Sequence, residues 1–412
     1  MRKSLLFYSD CPSFAGCENM IANFLNSELL QRNFNIDFVY RQSETYQRGI
    51  TARVHNKRAN YIPTLLLSAE LHRRLLKYFT KGSILYLLIA AIIIPVWKYT
   101  TIASSITRLY KVIKGRSIDI VHINNGGYPA AVTCYSMIIA ARLLGIKNIV
   151  YVVNNMAQGY NHPLRWFDYF LDLYIKRQVT LFITGSNHAA VKLRKVLSLK
   201  DDQVMNIPNG IKLRDIKKCK SQFFTEIGIK QTSRLIFSVI AILEERKGHM
   251  FLLKAITILS KIVPNSNMPL FIIEGTGSQK ERIIRFIAEN NISSSVVLID
   301  HVDNIFDLYN ASDVVVLPSV EDEDFPNVII EAMGMGKPVI GAKIAGIPEQ
   351  IDDGINGLLV EPADSIDLAK AIEKMTDKNT IEKLGKNAQE KFSASYYVEK
   401  SIDQYINIYK KY

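Results

Sequence analysis

The chain has 412 residues, 48% of them hydrophobic and 22% charged. That composition excludes a disordered, fibrous or coiled-coil protein and gives length for about two globular domains. The net charge of +12 is unevenly placed: residues 1–200 carry 26 Lys+Arg against nine Asp+Glu, and residues 201–412 carry 25 against 30. A basic half joined to a mildly acidic half points the first half at a polyanionic surface. It contains no recognisable nucleic-acid module, so the expected partner is an anionic membrane surface and not nucleic acid. The cysteines Cys11, Cys17, Cys134 and Cys219 are scattered, with no CxxC and no His-rich neighbour. This argues against a zinc module and fits reduced thiols in the cytoplasm.

In chain order, "MRKSLLFYSD" is basic and then apolar, as a leader would be. The apolar run is short and Asp10 closes it, so it reads as a first β-strand. A helical pattern over 18–32 and the strand "NIDFVY" follow. Between Glu70 and Asp119 there is no acid, yet Arg73, Arg74, Lys77, Lys81, Lys98, Arg108, Lys111, Lys114 and Arg116 all lie there. Inside that stretch, "ILYLLIAAIIIPVW" (84–97) falls short of the roughly 20 apolar residues that span a bilayer. Pro95, Trp97 and the flanking Lys81 and Lys98 suit an interfacial segment. A buried core helix fits the same letters, and both alternatives stay open.

Next come "DIVHIN", a helix over 130–144, "NIVYVV", a helix near 164–176, "TLFITG", a helix over 187–197 and "VMNIPNG". "KLRDIKKCKSQ" reads as a linker. A second series starts at Arg234: "LIFSVIAIL", a helix over 249–262, "PLFIIEG", a helix over 279–291, "SVVLID", "DVVVLPS", a helix over 327–335 and "KPVIGA", with a last helical stretch over 394–412. The strands are β-branched and almost continuously apolar, as parallel strands covered on both faces are. The alternation predicts an α/β protein with two Rossmann-like doubly wound parallel-sheet domains. Their expected spans are 1–211 and 212–393, with 394–412 packing back on the first. Open sheets of this kind bind ligands at the carboxyl ends of their strands, at the switch point. Two such edges facing each other would make an interdomain cleft.

The most pointed stretch is "SVEDEDFPNVIIEAMGMGKPVIG" (319–341). It has the form strand, acidic loop, then a helix with Pro326 at its first position, where a missing N–H costs nothing. The start of that helix, Phe325, Pro326, Asn327 and Val328, is a ready anion site. Glu331, one turn further on, can accept bonds from vicinal ribose hydroxyls, and Glu323 on the loop can reach those of a sugar. Taken alone, two glutamates eight residues apart more often mark a solvated acidic loop.

The context decides between these. "PSVEDEDFPNVIIEAMGMGKPVIGAKIAGIPEQIDDGINGLLVEPAD" resembles the signature region of the family-four glycosyltransferases, a retaining group with the GT-B fold. Six further stretches resemble that family's motifs in order: "AGCENM", "DIVHINN", "ITGSNHAAVKLRK", "IPNGI", "ERKGH" and "IIEGTGSQKE". The resemblance implies roles. Lys247 would set an ammonium on the donor diphosphate, where leaving-group charge develops. Gly16 would let backbone approach the phosphate or the acceptor. Glu323 would bind the transferred sugar and Glu331 the ribose. Gly275 and Gly277 would form the turn beside the nucleotide, Val302 would meet the base, and Asn209 would sit at the cleft hinge. His122 ends a strand facing the cleft on this reading, although a satisfied core histidine fits equally.

Departures from the family pattern are specific. Ala241 and Ile242 stand where an Arg before Lys247 is usual, and Arg246 is the only neighbouring substitute. Asn154 replaces a usual His, so it can hydrogen-bond but not titrate. Asp324 replaces a glycine. "DED" (322–324) is formally a DxD motif, the metal-binding signature of a different glycosyltransferase fold, but Lys247 and the helix amides already supply positive potential, so no metal and no cofactor is expected. The resemblance implies a retaining transferase that moves a sugar from a UDP- or GDP-linked donor by front-face attack. The acceptor would be a lipid-linked glycan in bacterial surface polysaccharide assembly, and the enzyme would lie peripherally on the inner face of the plasma membrane. Other activities for such a chain are a non-hydrolysing sugar-nucleotide epimerase and a non-catalytic nucleotide-sugar-binding scaffold.

Overall fold

The structure is a computed structural model. It describes all residues except Met1, Pro12, Ser13, Ala15, Cys17, Lys57, 68–82, Gln231, Asn265, Ser266 and Asp322, and leaves out the side chains at 84 and 86–88. Arg73, Arg74, Lys77 and Lys81 of the basic stretch, and Asp322 of the acidic loop, therefore lie outside the described residues. The chain divides into two compact units, Met1–Ile207 with Ser401–Tyr412, and Pro208–Lys400.

Unit 1 is built on seven strands: β1 (Lys3–Ser9), β2 (Phe34–Arg41), β3 (Asn60–Thr64), β4 (Ile120–Asn125), β5 (Asn148–Val153), β6 (Leu181–Thr184) and β7 (Val204–Asn206). They are all parallel, in the order β3-β2-β1-β4-β5-β6-β7. The edge strand β3 has no apolar alternation to announce it, and its Pro63 is tolerated because an edge strand has one side with no ladder to join.

Unit 2 holds β8 (Ile236–Ile240), β9 (Leu270–Glu274), β10 (Val296–Ile299), β11 (Val314–Leu317), β12 (Val339–Ala342) and β13 (Gly357–Val360). These run parallel in the order β10-β9-β8-β11-β12-β13. Both units are thus Rossmann-like. In each, the order reverses beside the first strand, between β1 and β4 in unit 1 and between β8 and β11 in unit 2. Strands β4, β8 and β9 are buried along their whole length, so each Val, Ile, Leu or Phe in them stabilises by about 1.5–3 kcal/mol.

Two expected helices are interrupted, each for a visible reason. The pattern over 18–32 breaks into Glu18–Asn26 and Glu28–Asn33, because the Ser27 hydroxyl caps the second helix by accepting the Leu30 N–H at 3.1 Å. The pattern near 164–176 becomes Pro163–Trp166 and Tyr169–Gln178, with Asp168 between them bound to Arg165 at 2.9 Å. The stretch 394–412 is also divided. Phe392 and Tyr396 sit in the unit 2 core, and the Tyr396 carbonyl accepts the Ile211 N–H at 2.9 Å, which holds 394–400 in unit 2. Residues Ser401–Tyr412 belong to unit 1, where Tyr405 packs on Phe24 with ring centroids 4.9 Å apart.

The apolar stretch 84–97 opens a single 30-residue helix, Ile84–Ile113, which continues through Pro95. Its two halves differ. Thr101, Ile102, Ser105, Leu109 and Ile113 are buried in the unit 1 core, whereas Ala90 is the only buried residue among the described side chains of 84–97. Beyond residue 97 it is a core helix, whereas the described side chains of 84–97 are mostly exposed or half-buried. By length and composition alone, Ile89–Ile113 could cross a membrane.

Candidate active site

The switch point of unit 2 brings together residues that are far apart in sequence. After β8 the chain makes a short 3-10 turn, Glu245–Lys247, and Gly248 then opens the helix His249–Leu259. Gly248 has φ +71°, and a Cβ there would lie 1.8 Å from the Pro318 carbonyl oxygen. Only glycine fits a left-handed residue pressed this closely on another loop. The approach is fixed by the Val320 N–H donating to the Arg246 carbonyl at 2.8 Å. Lys247 is thereby laid against the loop that follows β11, and its Nζ donates to Oε1 of Glu323. The Ser319 hydroxyl donates to the same oxygen at 2.8 Å, and Arg246 Nη1 lies 3.9 Å from it. Arg246 Nε donates to Glu244 at 2.8 Å, so this cation is held chiefly by Glu244. Glu323 is 6% exposed, which makes the solvated-acidic-loop alternative untenable for it. Asp324 is also buried, and Glu321 is exposed.

The helix that carries Glu331 spans Asn327–Gly334. Pro326 is its N-cap and not its first helical residue, since its ψ of 123° is extended. The Pro326 carbonyl accepts the Ile329 N–H and the Gln350 side-chain amide, each at 3.2 Å. The Asn209 side chain donates to the Asn327 side chain at 3.2 Å, which ties "IPNG" to the helix start, and Phe325 stacks edge-on against Tyr396. Glu331 is buried and accepts the Tyr309 hydroxyl at 2.8 Å. Burial, and then the neighbouring Glu331 carboxylate, push the Tyr309 phenol well up.

Gly275 and Gly277 follow β9 with φ of +148° and +158°. A Cβ at Gly275 would meet the Ala241 carbonyl at 2.1 Å, and one at Gly277 the Leu243 carbonyl at 2.5 Å. The glycine turn is therefore pressed onto the segment that leads to Lys247. Glu274 and Tyr309 escape a reading of the sequence. The signal for Glu274 is a carboxylate ending an otherwise apolar strand just before a glycine turn. Burial raises its pKa, offset in part by the Val302 N–H and by His301, whose Nδ1 lies 3.6 Å away. Val302 is thus joined by its backbone to the strand end.

In unit 1 the carboxyl ends of β1, β4 and β5 carry a network of a different kind. Glu18 is 1% exposed and accepts the hydroxyls of Ser9 at 2.7 Å and Tyr46 at 2.6 Å and the Asn124 amide at 3.3 Å. Burial first, and then Glu18, push the Tyr46 phenol up. Asn154 donates to the Asn124 side chain at 2.7 Å and to the Asn125 carbonyl at 3.0 Å. Beside them Asp10 pairs with Arg41 and accepts the Thr133 hydroxyl. Gly16 is exposed, and a Cβ there would meet nothing within 4 Å. The packing of the described residues does not require a glycine at that position.

His122 needs correction. It is the third residue of β4, fully buried, and does not end the strand. Its Nδ1 shares a 2.6 Å hydrogen bond with the Tyr409 hydroxyl, and Phe7 and Phe24 pack at ring distances of 4.9 and 5.4 Å. Burial lowers its pKa to about 3. It is a core histidine.

Two Rossmann-like units in series, with a lysine, a loop glutamate and a helix glutamate at the second switch point, define the GT-B class of glycosyltransferase. Comparison with known proteins agrees. The model described as Glycosyltransferase Family 4 matches residues 16–215, and the one described as Glycosyl transferases group 1 matches 234–378. The chain belongs to the family-four glycosyltransferases and is a sugar-transferring enzyme. It is 24% identical over 307 residues to the N-acetyl-alpha-D-glucosaminyl L-malate synthase of Bacillus anthracis, covering 74% of this chain and 77% of the relative. It is 25% identical over 313 residues to the UDP-Gal:alpha-D-GlcNAc-diphosphoundecaprenol alpha-1,3-galactosyltransferase of Escherichia coli, covering 74% and 78%. Among solved structures, a glycosyltransferase from Rickettsia africae ESF-5 superposes with a TM-score of 0.75 at 16% identity, covering 100% of this chain and 98% of that one. Anabaena Alr3699/HepE in complex with UDP-glucose gives 0.73 at 16% identity, covering 99% and 100%.

Proposed function

We propose that the enzyme moves a hexose-type sugar from a UDP- or GDP-linked donor to an acceptor hydroxyl with retention of anomeric configuration and without a metal. The observation that carries this is the convergence of Lys247 and Glu323 at the unit 2 switch point, with Glu331 one turn into the adjoining helix. A fixed ammonium stabilises the diphosphate more as it leaves than while it is bound, so it lowers the barrier selectively. Glu323, already aligned by Ser319, offers its carboxylate to sugar hydroxyls, and Glu331 offers its own to the ribose. No carboxylate with a raised pKa is needed if the leaving phosphate oxygen takes the acceptor's proton.

The acceptor we propose is a lipid-linked glycan of bacterial surface polysaccharide assembly, bound by unit 1, with the enzyme peripheral on the inner face of the plasma membrane. Support comes from the basic first half, the exposed Leu85, Ile92 and Val96 of the apolar stretch 84–97, and the E. coli relative whose name specifies a diphosphoundecaprenol-linked acceptor. The test is a panel of UDP- and GDP-sugars with diphosphoundecaprenol-linked acceptors in EDTA, the product's anomeric configuration being read by proton NMR. Transfer with retention in EDTA supports the reading. Inverted product, or activity restored only by a divalent ion, overturns the mechanism. A new nucleotide sugar formed without acceptor would mean an epimerase.

A further inference from the structure

Most of the large apolar groups that unit 1 exposes fall in two segments. Along Ile84–Ile113, Leu85, Ile92, Val96 and Tyr99 are all exposed, and their spacings of seven, four and three residues put them on one helix face. A second exposed group comes from the broken helix: Trp166 at 69%, Phe167 at 53%, Tyr169 at 49% and Phe170 at 81%. Two contacts pin these segments together, since the Tyr99 hydroxyl donates to the Phe167 carbonyl and Lys98 pairs with Asp168. Soluble monomers rarely show a contiguous apolar patch of this kind unless it binds something.

The charges around the patch indicate what it binds. Ile84–Ile113 contains no acid. The two carboxylates of residues 163–178, Asp168 and Asp172, are 3% and 2% exposed. Asp168 is held by Arg165 and Lys98, and Asp172 by Arg165, Tyr128 and Tyr160. With both acids buried, neither segment exposes a carboxylate. Arg177 is exposed and, seven residues after Phe170, lies on the same helix face. The Trp166 indole N–H is already bonded to the Tyr160 carbonyl at 2.7 Å, so the ring is held in place with its polar atom satisfied. An apolar aromatic centre with Arg177 beside it and no exposed acid on either segment complements the headgroup zone of an anionic bilayer.

We propose that unit 1 rests on an anionic lipid bilayer through a platform formed by residues 166–170 and the Leu85–Ile92–Val96–Tyr99 face of Ile84–Ile113. The proposal rests on the membrane-acceptor reading above and names the surface that it leaves unspecified. The sequence contains two tryptophans, Trp97 and Trp166, so W97F leaves Trp166 as the sole reporter. With mixed phosphatidylcholine–phosphatidylglycerol vesicles, Trp166 emission should shift to the blue and be quenched by brominated acyl chains. F170E should weaken vesicle co-sedimentation by about tenfold or more while leaving transfer to a detergent-solubilised acceptor unchanged. If vesicles bind but Trp166 emission does not move and F170E binds like the parent, the platform is wrong and membrane association stands. If the parent ignores these vesicles at low salt while transfer persists, the membrane reading itself fails and the platform with it. If sedimentation shows a dimer that F170E dissociates, with no vesicle binding, the face is a contact between copies and the proposal is overturned.

Discussion

At the switch point of unit 2, Lys247 and Glu323 are brought together by a left-handed glycine pressed on a neighbouring loop. At the matching edge of unit 1, Glu18, Ser9, Tyr46, Asn124 and Asn154 are bonded to one another and largely closed off from water. The first edge holds two cations beside one carboxylate in loops whose backbones are fixed by close contact, so it is prepared to receive a ligand with negative charge and hydroxyls. The second has its polar groups satisfied internally, so it forms a rigid floor for its strands. The same strand order therefore supports two kinds of polar edge, and burial with saturation of partners tells them apart. The sharpest test is to remove the charges of the first. Lys247→Ala and Glu323→Ala should each lower kcat about 10²–10³-fold, the range for a group aimed at developing charge, and each should also lower the thermal unfolding midpoint, since it leaves one partner of a buried ion pair alone. Parent-like turnover in both variants would make the unit 2 edge structural as well, and the contrast would vanish.

Gly248→Ala tests whether close packing, and not charge alone, makes that edge. The new Cβ would meet the Pro318 carbonyl at 1.8 Å from a residue at φ +71°, so the Lys247 loop must move. The expected cost is about 2–4 kcal/mol of stability, seen in urea unfolding, with a donor KM raised about tenfold or more. An unchanged KM would mean that Lys247 does not need this loop.

How much of this was legible in the sequence follows from the same contrast. In unit 2 each functional side chain sits within a few residues of a glycine or proline that its loop requires, so "ERKGH", "EGTG" and "DEDFPNVIIE" show their geometry as letters. Glu274 and Tyr309 were hidden because their roles arise only when β9 and the helix Ile305–Ala311 are packed. In unit 1 the network draws one residue each from "YSD", "CEN", "ETYQ", "HINN" and "VVNN", and nothing local marks their meeting. His122 shows the limit most plainly. A polar residue in "DIVHIN" gives the same pattern whether its neighbours are water or four aromatic rings. The fold was legible because the parallel strands are continuously apolar. The broken helices were not, because the capping Ser27 and the buried Asp168 look like ordinary surface residues until their partners are known.

Glu18→Gln probes the floor of unit 1. The amide keeps one acceptor oxygen and puts a donor where the Ser9 or Tyr46 hydroxyl now donates. Hydrogen bonds to a charged group contribute about 1.5–3 kcal/mol, so a loss of about 2–3 kcal/mol is expected in urea unfolding, with donor KM unchanged. A raised donor KM without loss of stability would instead make Glu18 part of a binding site.

His122 gives the smallest effect and the cleanest sign. In the folded chain its pKa is held at about 3 against an ordinary 6.5, because the surrounding Phe7, Phe24, Tyr405 and Tyr409 rings offer the imidazolium no water. The folded state therefore keeps the ring neutral while the unfolded chain protonates it. Stability is full above pH 6.5 and is lost as pH falls from there toward 3, by about 1.4 kcal/mol per pH unit. His249, lowered to about 4 chiefly by burial, adds a loss of the same sign. In His122→Gln the amide can still bond the Tyr409 hydroxyl but takes up no proton in either state. At pH 7.5 the variant should be less stable by about 1 kcal/mol, with turnover within about twofold of the parent, as expected of a group remote from the chemistry. As the pH falls, the parent loses stability faster, so the two urea midpoints should converge and cross between about pH 6 and pH 5. Parallel curves would mean that His122 stays neutral in the unfolded chain or charged in the folded one. A large loss of turnover at pH 7.5 with intact stability would return His122 to the active site, against its burial.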